Sequence, residues 1–278
     1  MNSWDSLVHA YMNYLVALGR PRTTRNLRRD QLNYLAKSIN LPVSRITYDD
    51  LLEWFAIHEA WMPETRRSYR AGLRGFFAWA HKTGVIAEDP SFDLPQYPVP
   101  RAVAQPVPDA VFAEAVATSR PRTALMLRLA GEAGLRRAEV AKVHTRDLRH
   151  SAGGAQLLVH GKGSRERIIP ISADLAAKIA AGPAGHSPGA ETSGGWLFPS
   201  PNGGHLAPRY VGALCSHALP GIWTIHKARH RFASKAYRGT RNIRAVQELL
   251  GHANLAITER YTAVDDDEMR AAMMAAAA

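Results

Sequence analysis

Four short runs carry the residues able to act on an anion. The first is Gly134-Leu135-Arg136-Arg137-Ala138-Glu139-Val140. A helical pattern over residues 123–133 breaks at Gly134 and resumes over 136–143. Arg136 therefore stands at a helix start, where a guanidinium and unpaired backbone N–H groups favour the same anion. Glu139, one turn on, either orients that guanidinium or forms an ordinary surface salt bridge with it. The second run is Gly161-Lys162-Gly163, set between two alternating stretches, 156–160 and 167–171, in the pattern of a hairpin. A lysine between glycines can swing into a neighbouring groove as a proton donor or phosphate contact, or simply decorate the turn. It is not a nucleotide P-loop, because Gln156 stands where the first glycine belongs and Gly163 follows the lysine in place of Ser or Thr. In the third run, His226, Arg229 and His230 fall at i, i+3 and i+4 on one helical face. A zinc site would need Glu after the first histidine, whereas Lys227 and the nearby arginines repel a metal and suit an anion. In the fourth run, Gly251 can end one helix, His252 occupies the turn, and Tyr261 lies near the end of the next helix, 254–261. A lone tyrosine is usually core or interface. As a nucleophile it needs help, because a phenol with a pKa of ~10 is protonated at neutral pH.

Composition narrows the partner. The chain has 278 residues with 35 Lys+Arg against 24 Asp+Glu, a net charge of +11. An acidic polymer is the first candidate. The basic residues divide into 28 Arg and 7 Lys, an excess of the planar fork that matches phosphate oxygens; GC-rich codons produce the same excess. The charge is uneven, with 12 basic and 10 acidic residues in 1–100 and 23 and 14 in 101–278. Length and a hydrophobic content of 46% fit two packed domains and exclude global disorder. The single cysteine, Cys215, excludes an internal disulfide framework and a multi-cysteine metal site, and fits a reducing compartment. The N-terminus does not read as a signal peptide, and no apolar run approaches the ~18 residues of a membrane span. The expected location is the cytoplasm of a bacterial host cell.

These runs need elements to hold them. The pattern predicts a mainly α protein with a small β-sheet or hairpin, an α+β chain of two domains. Residues 1–88 read as helices throughout: 5–18, a second capped at Thr23 or Thr24 and running to 39, a third capped at Thr47 or Asp49 and running to 58, and 63–81 after Pro63. On the last of these, Arg66, Arg67, Arg70 and Arg74 form a stripe beside Tyr69, Leu73, Phe76 and Ala80, suited to a helix that packs inward and meets phosphates outward. Arg20, Arg22, Arg25, Arg28 and Arg29 form a second cluster. Residues 89–107, with prolines at 90, 95, 98, 100 and 106, read as a semi-rigid linker. In 108–278 further helices are expected at 208–218, 226–238, 242–250 and 254–261, after a Gly/Pro-rich surface stretch over 182–204.

The four runs together, in this order and spacing, resemble the tyrosine recombinase (phage integrase) family, and the arginine-striped first half resembles that family's core-site DNA-binding domain. Ala228 departs from the pattern, where the family usually has Leu. The resemblance implies that Tyr261 attacks a DNA phosphodiester and forms a 3′-phosphotyrosine. Arg136 and Arg229 would clamp the phosphate, with Glu139 in support and Lys162 as the general acid. His226 would assist proton transfer, and His252 would donate a hydrogen bond to a non-bridging oxygen. Arg25, Arg28, Arg66, Arg67, Arg70 and Arg74 would contact the DNA backbone. No metal, ATP or other cofactor is implied. The partners implied are double-stranded attachment sites, a homotetramer on DNA and a directionality factor. The expectation is a short phage-type integrase without an arm-binding domain, the alternatives being a Xer-like chromosome-dimer resolvase and a catalytically idle DNA-binding relative. The tail ending Ala277-Ala278 also resembles bacterial degradation tags, which would add a host protease as a partner.

Overall fold

The structure, a computed structural model, describes residues 3–98, 105–161, 165–187 and 194–251. The chain divides into two compact units, Met1–Arg101 and Ala102–Ala278. Among the described residues no helix is long and apolar enough to cross a membrane.

The N-terminal unit is built from α1 (Trp4–Ala17), α2 (Arg22–Ile39), α3 (Tyr48–Ile57) and α4 (Pro63–Lys82). Local chemistry sets the helix starts. Ser3 caps α1 through the Ser6 N–H, Thr47 and Asp50 cap α3 reciprocally, and Pro63 opens α4, where its missing N–H costs nothing. Leu32, Leu35, Leu51, Leu73, Phe76 and Phe77 are wholly buried between these helices.

The arginine stripe of α4 lies against its own unit. Arg70 donates from Nε and Nη2 to the carbonyl of Leu94, at 2.9 and 2.7 Å. Arg66 donates to the His58 carbonyl and lies over the Tyr97 ring, and Arg74 lies over Phe92. From α2, Arg28 donates to Gln31 and to the Ser68 carbonyl, while Arg25 is half-buried. Arg67 is exposed. The first part of the expected linker is consequently drawn into this unit. Ser91 and Leu94 are buried, Tyr97 packs on Phe55, and the Arg70 fork holds the Leu94 carbonyl just ahead of Pro95. At the other end of that stretch Val107 is buried in the C-terminal unit, its N–H bonded to the Lys227 carbonyl.

The C-terminal unit comprises α5 (Asp109–Thr118), α6 (Pro121–Gly131), α7 (Arg137–Ala141), β1 (Leu148–Ser151), β2 (Gly154–His160), β3 (Glu166–Pro170), α8 (Ala173–Ala180), α9 (Pro208–Ala218), α10 (Ile225–Thr240) and α11 (Ile243–Leu250). The apolar α6 lies at the centre and packs against α5, α9 and α10. The strands form an antiparallel sheet in the order β1-β2-β3. Leu157 pairs with Ile169 and Val159 with Arg167, so the row facing the core contains one arginine. Helices α5 and α8 and strand β1 carry weak sequence patterns. The two helices are short and alanine-rich, and β1 is a polar edge strand joined to β2 by backbone pairing. The expectation of a surface stretch over 182–204 is corrected at its centre. Leu197 and Phe198 are wholly buried, with the Leu197 N–H bonded to the Val143 carbonyl and Phe198 bonded to Leu206. Cys215, on the inner face of α9, is also wholly buried, and burial pushes its thiol up to about 12.

Substituting Arg70 with Ala should release the 89–98 segment and lower the stability of the N-terminal unit by about 1.5–3 kcal/mol, the usual cost of a lost charged hydrogen bond. Arg67→Ala should leave stability unchanged; urea denaturation of both variants measures the contrast.

Candidate active site

Lys162, His252 and Tyr261, the helix expected over 254–261 and the tail 271–278 lie outside the described residues. The remaining candidates, Arg136, Glu139, His226 and Arg229, come together in the C-terminal unit.

Gly134 makes the turn out of α6 possible. Its φ is +69°, and a Cβ there would meet the Phe232 ring at 2.5 Å, so no other residue fits. The chain then places Arg136 as the cap of the five-residue α7. Its backbone N–H, expected to face an anion, is taken by Glu139 Oε2 at 2.8 Å, and its Nη1 donates to Glu139 Oε1 at 2.8 Å. The Arg136 side chain is 39% exposed, whereas that of Glu139 is 3% exposed. The salt bridge is therefore no surface pair.

Two more guanidiniums close on the same carboxylate. Arg167 of β3 is bidentate, Nη1 to Oε1 and Nη2 to Oε2, both at 2.9 Å. Arg229 Nη1 lies 3.5 Å from Oε2. Burial alone would push the Glu139 carboxyl up. The hydrogen bonds and charge of Arg167, with the backbone and side chain of Arg136, more than reverse this and hold it at about 2. Arg167 was not among the candidates. The available signal was its place in the strand alternation: a cation in the inward row with Ile169 must have a buried partner.

The same three arginines grip the end of α11. Arg167 Nε donates to the Leu249 carbonyl at 2.9 Å, Arg229 Nη2 to Leu250 at 2.8 Å, and Arg136 Nη2 to Gly251 at 3.2 Å. Three successive carbonyls at a helix C-terminus, where the backbone dipole is negative, are thus capped by cations. Gly251 turns the chain away with φ +62°. Arg229 also donates to the Gly134 carbonyl and is 1% exposed.

His226 sits in the first turn of α10, whose start is capped by Thr224. Its imidazole is held below the ordinary histidine value, first by burial and then by Arg229, Arg136 and Arg137. The shift favours the neutral imidazole, the form that can accept a proton. The His230 ring stands edge-on to it at 4.3 Å. Ala228 is wholly buried, so the smaller residue alters packing and leaves the polar face intact. A cleft of about 960 Å³ opens over this face, lined by Arg136, Arg137, Arg209, Ser216, His226 and His230. Arg137 and Arg209 are exposed and were also missed; no periodic pattern marks either. At the end of β2, His160 lies between Asp147 Oδ1 at 3.0 Å and Glu166 Oε1 at 2.9 Å. Asp147 and then Glu166 raise its basicity, so this clasp is complete below the ordinary histidine value and fades as pH rises through the raised one. Among the described residues no cluster of His, Cys, Asp and Glu could hold a metal ion.

Comparison with known proteins identifies the family. The phage integrase family model matches residues 109–268, and the chain belongs to that family. Tyrosine recombinase XerC of Rhodospirillum centenum is 33% identical over 226 residues, covering 74% of this chain and 63% of XerC. Tyrosine recombinase XerD of Caulobacter vibrioides is 31% identical over 225 residues, covering 74% of this chain and 73% of XerD. The chain thus spans a little under two thirds of the length of several of these relatives. In fold it is similar to a XerH site-specific recombinase solved as a post-cleavage complex with a palindromic difH substrate. The TM-score is 0.72 at 19% identity, over 98% of this chain and 84% of that one. It is similar too to a lambda integrase dimer bound to a core site, with a TM-score of 0.72 at 17% identity, over 94% and 96% of the two chains.

Glu139→Gln should cost about 3–5 kcal/mol by leaving buried guanidiniums without their counter-charge. The sign on the pH axis follows from a lowered carboxyl. The stability that the charge supplies is complete above the unfolded value and is lost as pH falls through the folded value of about 2. Urea midpoints measured from pH 5 downward should fall steeply for the wild-type chain, and this contribution should vanish in the variant.

Proposed function

We propose that this chain is a site-specific DNA recombinase that cuts and rejoins strands through a 3′-phosphotyrosyl linkage at Tyr261, without metal or ATP. The observation that carries this reading is the arginine cluster around Glu139, which lies beside His226 and holds the backbone immediately before His252. A pentacoordinate phosphorus gathers negative charge on its oxygens, and fixed guanidiniums stabilise it without reorganising as the charge develops. Arg136 and Arg229 both line the cleft. Arg229 engages a phosphate by exchanging its bonds to Gly134 and Leu250 for phosphate oxygens. His226 takes the phenol proton, Lys162 protonates the leaving 5′-oxygen, and His252 donates to a non-bridging oxygen. The bond energy stays in the linkage until a strand of the partner site attacks it.

The substrate in this reading is a double-stranded attachment site of a phage or other mobile element in a bacterial cytoplasm. Four copies act on two duplexes, under a directionality factor. Arg137 and Arg209 add positive charge along the strand, and Arg67, the exposed member of the α4 stripe, is placed to meet the backbone. The Xer-like resolvase is the second reading, favoured by the XerC and XerD names of the relatives. A host protease acting on the alanine tail is a separate proposal, tested by the half-life after Ala277 and Ala278 are changed to Asp.

A randomised pool of nicked duplexes offered to the wild-type chain should yield a detergent-resistant protein–DNA adduct. Tyr261→Phe should abolish the adduct and still retain duplexes, and an adduct on that variant would overturn the assignment. Lys162→Ala should slow cleavage by about 10²–10⁴-fold, the range for a lost general acid. A bridging 5′-thiol, which leaves without protonation, should restore it.

A further inference from the structure

Arg167 has no role in the chemistry just described, yet it is held on both edges of its guanidinium. Its side chain is 12% exposed. The end of its fork is spent on both oxygens of Glu139, and its Nε is spent on the Leu249 carbonyl. The backbone of Gly251 lies against its flank, where a Cβ would fall 3.0 Å from Cδ and 3.1 Å from Nη1. A planar group held on both edges and pressed from the side has one orientation. That orientation joins three elements: β3, which carries it; the turn before α7, through Glu139 and so Arg136; and the last turn of α11, from which the chain runs to His252 and Tyr261.

We propose that Arg167 is a positioning residue for strand transfer, fixing the distance between the phosphate-binding Arg136 and the start of the segment that bears the nucleophile. It touches no phosphate. Its effect reaches the reaction through Glu139 on one side and Leu249 on the other. A lysine there would supply the charge as a single point and could not span both partners. The inference rests on the strand-transfer reading above.

The test uses the full chain and a duplex recovered from the randomised pool by covalent capture on the wild-type protein. Arg167→Ala and Arg167→Lys are compared with wild type in duplex affinity, in single-turnover cleavage of the nicked duplex, and in the pH profile of that cleavage. For Arg167→Ala, cleavage should slow by about 10²-fold, the scale of a small misplacement of reacting groups, with affinity unchanged. Its pH profile should gain an acid limb. Glu139, left facing only Arg136 and Arg229, then takes up a proton at a pH where wild type keeps its carboxylate. Arg167→Lys should recover part of the rate and remove most of the acid limb. Affinity falling in step with rate would make Arg167 a DNA contact and overturn the proposal. A wild-type rate per folded molecule with an unchanged pH profile would reduce it to a fold residue and also overturn it. If the alanine variant does not fold, the lysine variant carries the same readings, since it keeps the stem and the charge. Failure of the wild-type chain to form any adduct would instead remove the underlying reading.

Discussion

One buried carboxylate answers for three guanidiniums. Like charges brought within about 4 Å repel by roughly 4 kcal/mol each at an effective dielectric near 20, so an arginine cluster does not assemble unaided. Glu139 supplies the counter-charge, and the carbonyls of Leu249, Leu250, Gly251 and Gly134 take up N–H groups that the carboxylate leaves over. Much of the C-terminal unit serves that arrangement. The positive φ of Gly134 brings Glu139 inward, the strand register puts Arg167 in the buried row, and the short α11 ends where its carbonyls meet the cluster.

Arginines do different work in the two units. In the C-terminal unit they converge on a charge. In the N-terminal unit Arg28, Arg66 and Arg70 donate to backbone carbonyls of three different segments: Ser68 within α4, His58 at the end of α3, and Leu94 beyond the helices. A stripe of cations on an amphipathic helix thus has two physical uses, and the stripe alone does not separate them. After a turn at 90–93, Pro95 and Pro98 remove donors from 94–98, and a segment outside helix and strand leaves the Leu94 carbonyl free for a guanidinium. The proline content that suggested a linker is also what makes the segment a ligand for α4.

Polar residues at helical spacing were the most legible feature of the sequence. Arg136 and Glu139 stand out because they follow a glycine break at a helix start, and His226 and Arg229 because they share one face with His230. The helices of the N-terminal unit were legible from their apolar periodicity, with the Thr47 cap and Pro63 in the first turn marking two of the starts; α2 begins after Pro21, ahead of the expected Thr23 or Thr24 cap. Arg167 was harder to see, since its significance lies in strand register, and register depends on pairing between distant residues. Helix α5 and strand β1 owe their existence to neighbours: one is a weak amphipathic helix laid on α6, the other an edge completed by β2. Leu197 and Phe198 lie in a glycine-rich neighbourhood that disguised two core residues as surface.

The depth of Cys215 has a practical meaning of its own. The chain has one thiol, and the fold both encloses it and keeps it protonated. Thiolate is the species that reacts with alkylating probes and disulfides, so the native protein is silent to thiol chemistry. A cysteine placed on the rim of the cleft, at Arg209 for example, would be the one reactive sulfur in the molecule. It would serve as a single attachment point for a spectroscopic label or a thiolated nucleotide.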